Sequence, residues 1–471
     1  MVKSYPIMDE KPHPQHQILR VMRPMYARQW LLGPSPRHAV PEEEMPPATA
    51  YRLIHDELIM DGSSRFNLAT FCGTWMEPEA CKLMSETFDK NMIDKDEYPQ
   101  TAELELRCVH MLAGLWHAPA AEGTLGTSTI GSSEACMLGG LALKWRWRRK
   151  MRQAGQPCGQ PCGQPNIVMG TNTQVCWHKF TRYWDVEERA VPLEGSSFVT
   201  DPERAAAMCD ENTIGVVAVL GSTFTGEYED VAALSAALDR LQEKTGLDIP
   251  IHVDGASGAF VAPFLQPALV WDFRLPRVKS INTSGHKYGL VFPGVGWVIW
   301  REASDLDPDL IFNVDYLGGT MPTLAINFSR PASQVVAQYY NLIRLGKSGY
   351  RAVHQACQDV AVYLAGQIAA LGPFELLSQG TDLPVFAWRL KDAANWSLYD
   401  LADRLRDRGW QVPAYRMPAN RQDIVVQRVV VRNGLTRDLA DMLVHDIRRH
   451  LDWFAGQPGF RSTAQAAGFH H

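Results

Sequence analysis

Between about residues 100 and 300, short apolar runs with strand character alternate with amphipathic segments of helical spacing. One such segment, 231–244, follows Asp230 as a possible N-cap and places Leu234, Leu238 and Leu241 on one helical face. Strands are predicted at 167–169, 214–220, 249–253 and 296–300. This alternation is typical of α/β architectures built on a parallel sheet.

Composition excludes several classes of protein. The 471 residues exceed what one compact core usually organises, and a net charge of −6 offers no surplus of cations for a nucleic-acid backbone. We find no apolar run of about 18 residues and no apolar segment after a charged N-terminus, which predicts a soluble, unexported chain. The cysteines number nine, an odd count, and are scattered, which favours the reducing cytoplasm.

The chain divides into four predicted parts. Residues 1–60 form an N-terminal arm with an interfacial helix, and residues 61–345 form the large domain. From 346 to 454 the pattern becomes helix, strand, helix, strand, helix, which predicts a small α+β domain. Within it, Ser397 and Thr436 are predicted N-caps and Gly409 a residue just beyond a helix end. Residues 455–471 form a tail.

A tetrapeptide that begins with Gly-Gln-Pro occurs three times between residues 155 and 166. It is too short for a solenoid repeat and contains helix breakers, so we predict a surface loop. Cys158 and Cys162 could bind a metal, but no second ligand pair of suitable spacing lies nearby in the sequence. We therefore predict no metal site.

Lys287 is the first candidate for a catalytic residue. The stretch 280–289 reads as a strand that breaks at Gly285 and then presents His286 and Lys287 between small residues. Burial there would lower the pKa of the amine and yield a nucleophile that can attack an aldehyde. Asp254 ends a predicted strand 33 residues earlier, where an anion could pair with the protonated ring nitrogen of pyridoxal phosphate (PLP).

A phosphate site is predicted at the start of another helix. Ser132 and Ser133 open an apolar-rich segment, and two hydroxyls with free backbone N–H groups at a helix N-terminus can bind phosphate. A simple serine N-cap is the alternative. The sequence contains no G-x-S-x-G elbow, H-E-x-x-H motif or Walker lysine loop, which disfavours hydrolase and nucleotide-binding functions.

Taken together, these residues resemble the bacterial-type glutamate decarboxylases, a group II decarboxylase family within fold-type I PLP enzymes, from about Tyr51 to the C-terminus. The resemblance implies an α/β fold-type I transferase fold, with a mostly parallel seven-stranded large-domain sheet, helices on both faces and a small C-terminal α+β domain. The matching segments are 67–72, 91–95, 97–100, 131–139, 176–180, 271–280, 284–287, 313–319 and 326–331.

The resemblance also implies a set of cofactor contacts. Lys287 would carry PLP covalently, Asp254 would pair with its ring nitrogen, and Thr223 would reach its phenolic oxygen. Gln174 would lie over the ring, Ala256 beside it, and Ser329 would come from the neighbouring subunit. The predicted phosphate ligands within the chain are Ser132, Ser133, Ser284 and His286.

For the substrate, the resemblance implies glutamate, which would lose CO2 and take up a proton to give 4-aminobutanoate (GABA). The distal carboxylate would be received by Thr70, Phe71, Asn91 and Asp94, and Arg428 completes the substrate-binding set. Asp94 tolerates that carboxylate only if one acid is protonated or donors intervene, which agrees with acid-favoured activity and a role in acid resistance. Lys287 is the first choice of proton donor and His178 or water the second, although His178 could equally be a core histidine.

Regulation and assembly follow from the same resemblance. His471 would enter the site at neutral pH and cap it, with a disordered tail as the alternative. A homodimer would be the catalytic unit and a homohexamer the assembly, without a calmodulin-binding tail. Another PLP decarboxylase, a transaminase or retro-aldol enzyme, and a non-enzymatic scaffold are the remaining alternatives.

Overall fold

The computed structural model describes residues 36–119, 124–153, 155, 163–315, 321–392, 394–457 and 459–460. The chain forms two compact units, Met1–Ser63 and Ser64–His471. In the first unit, helix α1 (Pro47–Leu58) begins with a proline, whose fixed φ suits the first helical turn. Tyr51, Ile54 and Leu58 of α1 are exposed and lie at helical spacing.

The second unit is built around a seven-stranded mixed sheet in the order β1-β7-β6-β5-β4-β2-β3. Strands β2 to β6 pair with one another in parallel, while β7 pairs antiparallel with β6 and with β1. This confirms the predicted mostly parallel sheet. The strands are β1 (Gly126–Thr129), β2 (Asn166–Gly170), β3 (Glu187–Val191), β4 (Thr213–Val219), β5 (Ile251–Asp254), β6 (Val278–Ser284) and β7 (Gly296–Trp300).

Helices cover both faces of this sheet, as alternate residues of single strands show. Val216 and Ala218 of β4 pack into one apolar cluster, whereas Val217 and Val219 pack into another. Successive strand side chains point to opposite faces, so both faces are buried. The helices are α2 (Pro78–Ser85), α3 (Pro99–Leu115), α4 (Ser132–Gln153), α5 (Val175–Tyr183), α6 (Pro202–Ala207), α7 (Val231–Thr245) and α8 (Ala262–Leu265).

A short hairpin of β8 (Phe312–Val314) and β9 (Met321–Thr323) follows, and then the long helix α9 (Ser333–Ala369). Gly346 interrupts α9 with non-helical angles, so the helix consists of two segments joined at a kink. From the sequence, this helix is expected to begin only at about residue 346, where the pattern changes. The observed helix starts earlier because Val335, Val336 and Ala337 also bury an apolar face.

The C-terminal elements form a four-stranded antiparallel sheet in the order β10-β11-β13-β12. Ser397 and Thr436 cap their helices as predicted, Ser397 within a full capping box. Gly409 has a left-handed φ of 85° but lies three residues past the helix end. The elements are β10 (Phe374–Leu376), β11 (Val385–Leu390), α10 (Leu398–Arg406), β12 (Ala414–Arg416), β13 (Val425–Val430) and α11 (Arg437–Ala455).

In the described part of the chain, no helix has both the length and the apolar character needed to cross a membrane.

Strands β1 and β3 were not predicted from the sequence. Each contains polar or charged residues, since β1 reads Gly-Thr-Ser-Thr and β3 begins with two glutamates. Their pairing with apolar neighbours outweighs this weak local preference.

Candidate active site

The candidate site lies where β5 and β6 end side by side. These strands are parallel, and Asp254, the last residue of β5, is in register with Asn282 of β6. Ser284 ends β6, and Lys287 follows in the turn. Ligand sites of α/β sheets occur beyond the carboxyl ends of strands, so the topology places both predicted catalytic residues at a favourable edge.

Asp254 is buried and satisfied by several donors. Trp177 Nε1 donates to Oδ2 at 2.9 Å, and Asn282 Nδ2 donates to Oδ1 at 3.1 Å. The Ala256 backbone N–H also donates to Oδ1 at 3.1 Å. These three hydrogen bonds satisfy both carboxylate oxygens. The structure therefore holds a fixed acceptor at this position.

The amine of Lys287 interacts electrostatically with the carboxylate of Asp254. Burial lowers the pKa of its amine, and the charge of Asp254 opposes that change. Lys287 Nζ donates to Ser257 Oγ at 3.2 Å and lies 5.0 Å from the ring centroid of Phe71. A lysine with a lowered pKa is more often neutral, which is the state that attacks a carbonyl carbon.

Ser132 and Ser284 meet at the predicted phosphate position. Their hydroxyl oxygens are 2.6 Å apart, although they are 152 residues apart in the chain. Ser132 is the first residue of α4, and Ser133 beside it is exposed. The carboxylate of Glu134 accepts from the backbone N–H groups of Ile130 and Asn327, which orders this helix start.

His286 packs against the start of α4. A Cβ on Gly131 would lie 3.2 Å from its ring, so glycine allows the close approach. His286 Nδ1 hydrogen-bonds to the Val295 carbonyl at 2.9 Å. Since a carbonyl only accepts, Nδ1 carries the proton. Burial, together with the charge of Lys287, lowers the pKa of His286 to about 4.

Phe71 and Arg428 link the site to the four-stranded sheet. Phe71 is buried, and Arg428 Cζ lies 4.9 Å from its ring centroid. Arg428, on β13, donates through Nη2 to the Ala69 carbonyl at 2.5 Å and through Nη1 to the Thr223 carbonyl. Thr70 Oγ1 accepts from the Cys72 backbone N–H at 3.2 Å, which leaves its own hydroxyl proton available.

Asn91 and Ser329 form a second group. Asn91 Nδ2 donates to Ser329 Oγ at 3.3 Å, and Asn91 Oδ1 accepts from the backbone N–H of Arg330 at 3.1 Å. The half-buried Asp94 follows in the same turn, with its N–H bonded to the Asn91 carbonyl. Among the described residues, no hydrogen bond joins Asn91 or Ser329 to Lys287 or Asp254.

The remaining predicted residues lie at several places. Gln174 caps α5, with Oε1 accepting from the Cys176 backbone N–H at 2.6 Å. His178, also on α5, has Nδ1 2.7 Å from Glu188 Oε2 and is partly exposed. The Ala256 carbonyl accepts from the backbone N–H of Ser284 at 3.1 Å. His471, the predicted regulatory residue, and Cys158 and Cys162 lie outside the described residues.

Comparison with known proteins places this geometry in a family. Residues 41–391 match the model described as the pyridoxal-dependent decarboxylase conserved domain. The chain belongs to the pyridoxal-dependent decarboxylase family. It is 59% identical over 441 residues to a glutamate decarboxylase of Aliivibrio fischeri, an alignment covering 93% of this chain and 94% of the relative. It is 50% identical over 437 residues to glutamate decarboxylase beta of Listeria innocua, covering 92% and 94%.

Among solved structures, a Lactobacillus brevis glutamate decarboxylase superposes with a TM-score of 0.88 and 48% identity, covering 91% of this chain and 97% of that one. A sphingosine-1-phosphate lyase of Burkholderia pseudomallei gives a TM-score of 0.73 at 21% identity, which shows a shared fold. As a pyridoxal-dependent decarboxylase, the chain uses PLP, and the fold agrees with the predicted fold-type I class.

The side chains of this pyridoxal-dependent decarboxylase fit PLP better than a metal. Cys136, Cys176 and Asp254 do bring three possible ligand atoms within 4.8 Å of one another. However, both carboxylate oxygens of Asp254 already accept hydrogen bonds, and burial raises the pKa of the Cys136 thiol well above its ordinary value. A protonated thiol is a poor metal ligand, whereas a fixed carboxylate near a lysine suits a protonated pyridine ring.

Sequence reasoning missed four residues of this pyridoxal-dependent decarboxylase that hold the predicted ones in place. Trp177 and Asn282 donate hydrogen bonds that position Asp254. Ser257 accepts a hydrogen bond from the Lys287 amine, and Arg432 donates to the backbone near Thr70. Trp177, Asn282 and Ser257 lie inside or beside motifs that were recognised. Their spacing could not reveal which way each side chain donates.

Proposed function

We propose that this protein decarboxylates L-glutamate to GABA and CO2 with PLP as its cofactor. The observation that carries the proposal is the convergence of Lys287, Asp254 and the Ser132–Ser284 pair beyond the ends of β5 and β6. The glutamate decarboxylase names of relatives at 59% and 50% identity support glutamate as the substrate.

In this proposal the cofactor's phosphate binds at the start of α4. Ser132, Ser133 and Ser284 would donate to it together with the helix N-terminus, His286 would line the same position, and Ser329 of a neighbouring subunit would reach the same phosphate. Asp254 receives the ring nitrogen, Thr223 the phenolic oxygen, and Gln174 and Ala256 border the ring. Lys287 would hold PLP covalently, and burial lowers the pKa of its amine, which favours the neutral, nucleophilic form.

When bound, PLP withdraws electrons from the bond between Cα and the α-carboxylate, which makes the loss of CO2 possible. The chain's own residues determine how strongly it does so. Asp254, held by Trp177 and Asn282, keeps the ring nitrogen protonated. Its fixed position avoids reorganisation during the reaction.

The distal carboxylate of glutamate binds near Thr70 and Phe71, with Arg428 supplying positive charge. The free hydroxyl proton of Thr70 and the buried guanidinium of Arg428 support this assignment. Asn91 and Asp94 complete the site from the second group. Since an ionised Asp94 would repel the substrate's carboxylate, activity is acid-favoured.

Protonation of Cα completes the reaction and consumes one proton. Lys287 would donate this proton from the amine that would hold PLP, because that amine reaches Ser257 and lies 5.0 Å from the Phe71 ring inside the site. His178 is the second candidate, and its Nδ1 lies 2.7 Å from Glu188 Oε2. Net proton consumption suits a role in acid resistance.

The catalytic unit in this proposal is a homodimer, and dimers associate into a homohexamer. Several large apolar side chains near Asn91 and Ser329 in the sequence are exposed, which supports a subunit interface that would bury them. They are Phe88, Phe312, Ile326 and Phe328. The exposed apolar residues of α1 support a contribution of the N-terminal arm to assembly.

We place the enzyme in the cytoplasm, where its free thiols would stay reduced. Regulation by His471 and the four predicted domains belong to the same proposal.

The test is CO2 release across pH 4 to 8 from glutamate, aspartate and an aromatic amino acid in parallel. We expect release from glutamate, stronger at acidic pH, and none from a Lys287→Ala variant. Borohydride reduction should attach PLP to Lys287 in the wild-type protein. Release from another amino acid with none from glutamate would overturn the substrate assignment, and failure of covalent trapping would overturn the role of Lys287.

A further inference from the structure

Residues 64–73, which we call the Thr70 loop, contact two buried arginines, Arg428 through the Ala69 carbonyl and Arg432 through three other carbonyls. Arg432, just beyond β13, donates through Nη1 to the Cys72 carbonyl at 2.5 Å. Its Nη2 donates to the Ser64 carbonyl at 3.1 Å and also to the Asn67 carbonyl. One side chain therefore fixes the loop on both sides of Thr70 and Phe71.

Backbone pairing fastens the same loop at its edges. Leu68 N–H donates to the Gln411 carbonyl at 3.0 Å, and Val430 N–H donates to the Leu68 carbonyl at 2.9 Å. At the other end, Gly73 N–H donates to the carbonyl of His286 at 2.8 Å, directly before Lys287. Between Leu68 and Gly73, the loop depends on side chains for its shape.

Arg432 is distinguished from the surface arginines by its surroundings. It is 5% exposed, and among the described residues no carboxylate lies within ion-pair distance. Its two terminal nitrogens donate to three loop carbonyls, none of them a reacting group, while Nε is buried without a hydrogen-bond partner in the described part of the chain. A buried cation is costly when its N–H groups are unpaired, so each of these three bonds favours the observed loop geometry.

We propose that Arg432 is a positioning residue that sets substrate affinity and selectivity by holding Thr70 and Phe71 in their binding geometry. This inference rests on the proposed function, because that proposal places the substrate's distal carboxylate at these two residues. Arginine is needed since three carbonyls at different positions require several N–H donors in a fixed plane. A lysine ammonium at this position could not reach all three carbonyls.

The test compares Arg432→Lys with a matched control, Arg389→Lys, on β11 of the same sheet. Arg389 forms an exposed ion pair with Glu375 at 2.9 Å and has no contact with the loop. For Arg432→Lys we expect KM for glutamate to rise by roughly tenfold, kcat to change less than about threefold, and selectivity over aspartate to fall. Covalent trapping of PLP should be unchanged in both variants.

A second readout does not depend on the substrate. Amide hydrogen exchange in a peptide covering 64–73 should be faster in Arg432→Lys than in the control. A folded Arg432→Lys variant with wild-type KM, selectivity and exchange would overturn the inference. A wild-type protein that leaves glutamate unchanged would instead overturn the proposed function, and the exchange data would still decide the positioning role.

If Arg432→Lys does not fold, Asn67→Ala provides an independent route. Asn67 Oδ1 accepts from the Ala69 N–H at 3.0 Å, so its removal loosens the same loop without creating a cavity around the guanidinium. A rise in KM with little change in kcat supports the inference. Unchanged kinetics together with unchanged exchange in 64–73 would contradict it.

Discussion

The candidate site joins two regions that are built in different ways. At the ends of β5 and β6, Asp254 and Ser284 are placed by strand register, and Asp254 is held by donors from buried neighbours. The Thr70 loop has little such support of its own. It is fixed by Arg428 and Arg432, whose partners lie about 360 residues away in the chain.

This difference separates two kinetic properties. The strand-end region holds the groups that we assign to the cofactor, so changes there should reduce turnover. The Thr70 loop holds groups assigned to the substrate, so changes there should affect affinity and selectivity first. A family can therefore change its substrate by altering the loop and the arginines that hold it, while the residues at the strand ends stay the same.

The most severe test of the strand-end region is Asp254→Asn. An amide cannot supply the negative charge that keeps the ring nitrogen protonated, so kcat should fall by roughly a hundred- to a thousandfold. KM should change little, and PLP should still be trapped on Lys287. Steady-state kinetics with glutamate measure this, and a loss of less than tenfold would break the proposed division of roles.

In the loop region, Thr70→Ala should act mainly on binding. Loss of a hydroxyl that donates to a carboxylate should raise KM for glutamate by roughly ten- to a hundredfold. The matched control is Thr87→Ala, because the Thr87 hydroxyl bonds to the Leu83 and Met84 carbonyls of its own segment. A fall in kcat without a rise in KM would place Thr70 in the reaction chemistry instead.

The smallest effect concerns stability of the packing behind Lys287. His354 on α9 is buried among the rings of Tyr288, Tyr350 and Phe264, and burial lowers its pKa to about 3. Below pH 6.5 the unfolded chain binds a proton that the folded chain excludes. Stability is therefore lost as pH falls from 6.5 towards 3.

His354→Leu removes this acid sensitivity. When the pH is lowered from 7.5 to 4.5, the variant should lose about 3 kcal/mol less unfolding free energy than the wild-type protein. Urea unfolding at fixed protein concentration measures the difference, with kcat at pH 4.5 as the control for an intact site. Parallel pH profiles of stability would show that His354 does not remain neutral in the folded protein.

The sequence predicted the strand-end region better than the loop. Asp254 and Lys287 follow recognisable strands, and Ser132 opens a recognisable helix, so periodicity and cofactor chemistry together located them. Arg432 gave no such signal, because its partners are backbone carbonyls of residues 64–72. A side chain that recognises backbone leaves no matching residue type in the sequence.

Pairing of β1 with β7 has a consequence for synthesis of the protein. β1 (Gly126–Thr129) leads directly into the serine helix start, and its strand partner among the described residues is β7 (Gly296–Trp300). This part of the candidate site therefore cannot form on the ribosome until residue 300 has emerged. The Thr70 loop must wait longer, for Arg432. Contacts between residues so distant in the chain close slowly, so the candidate site forms late in synthesis.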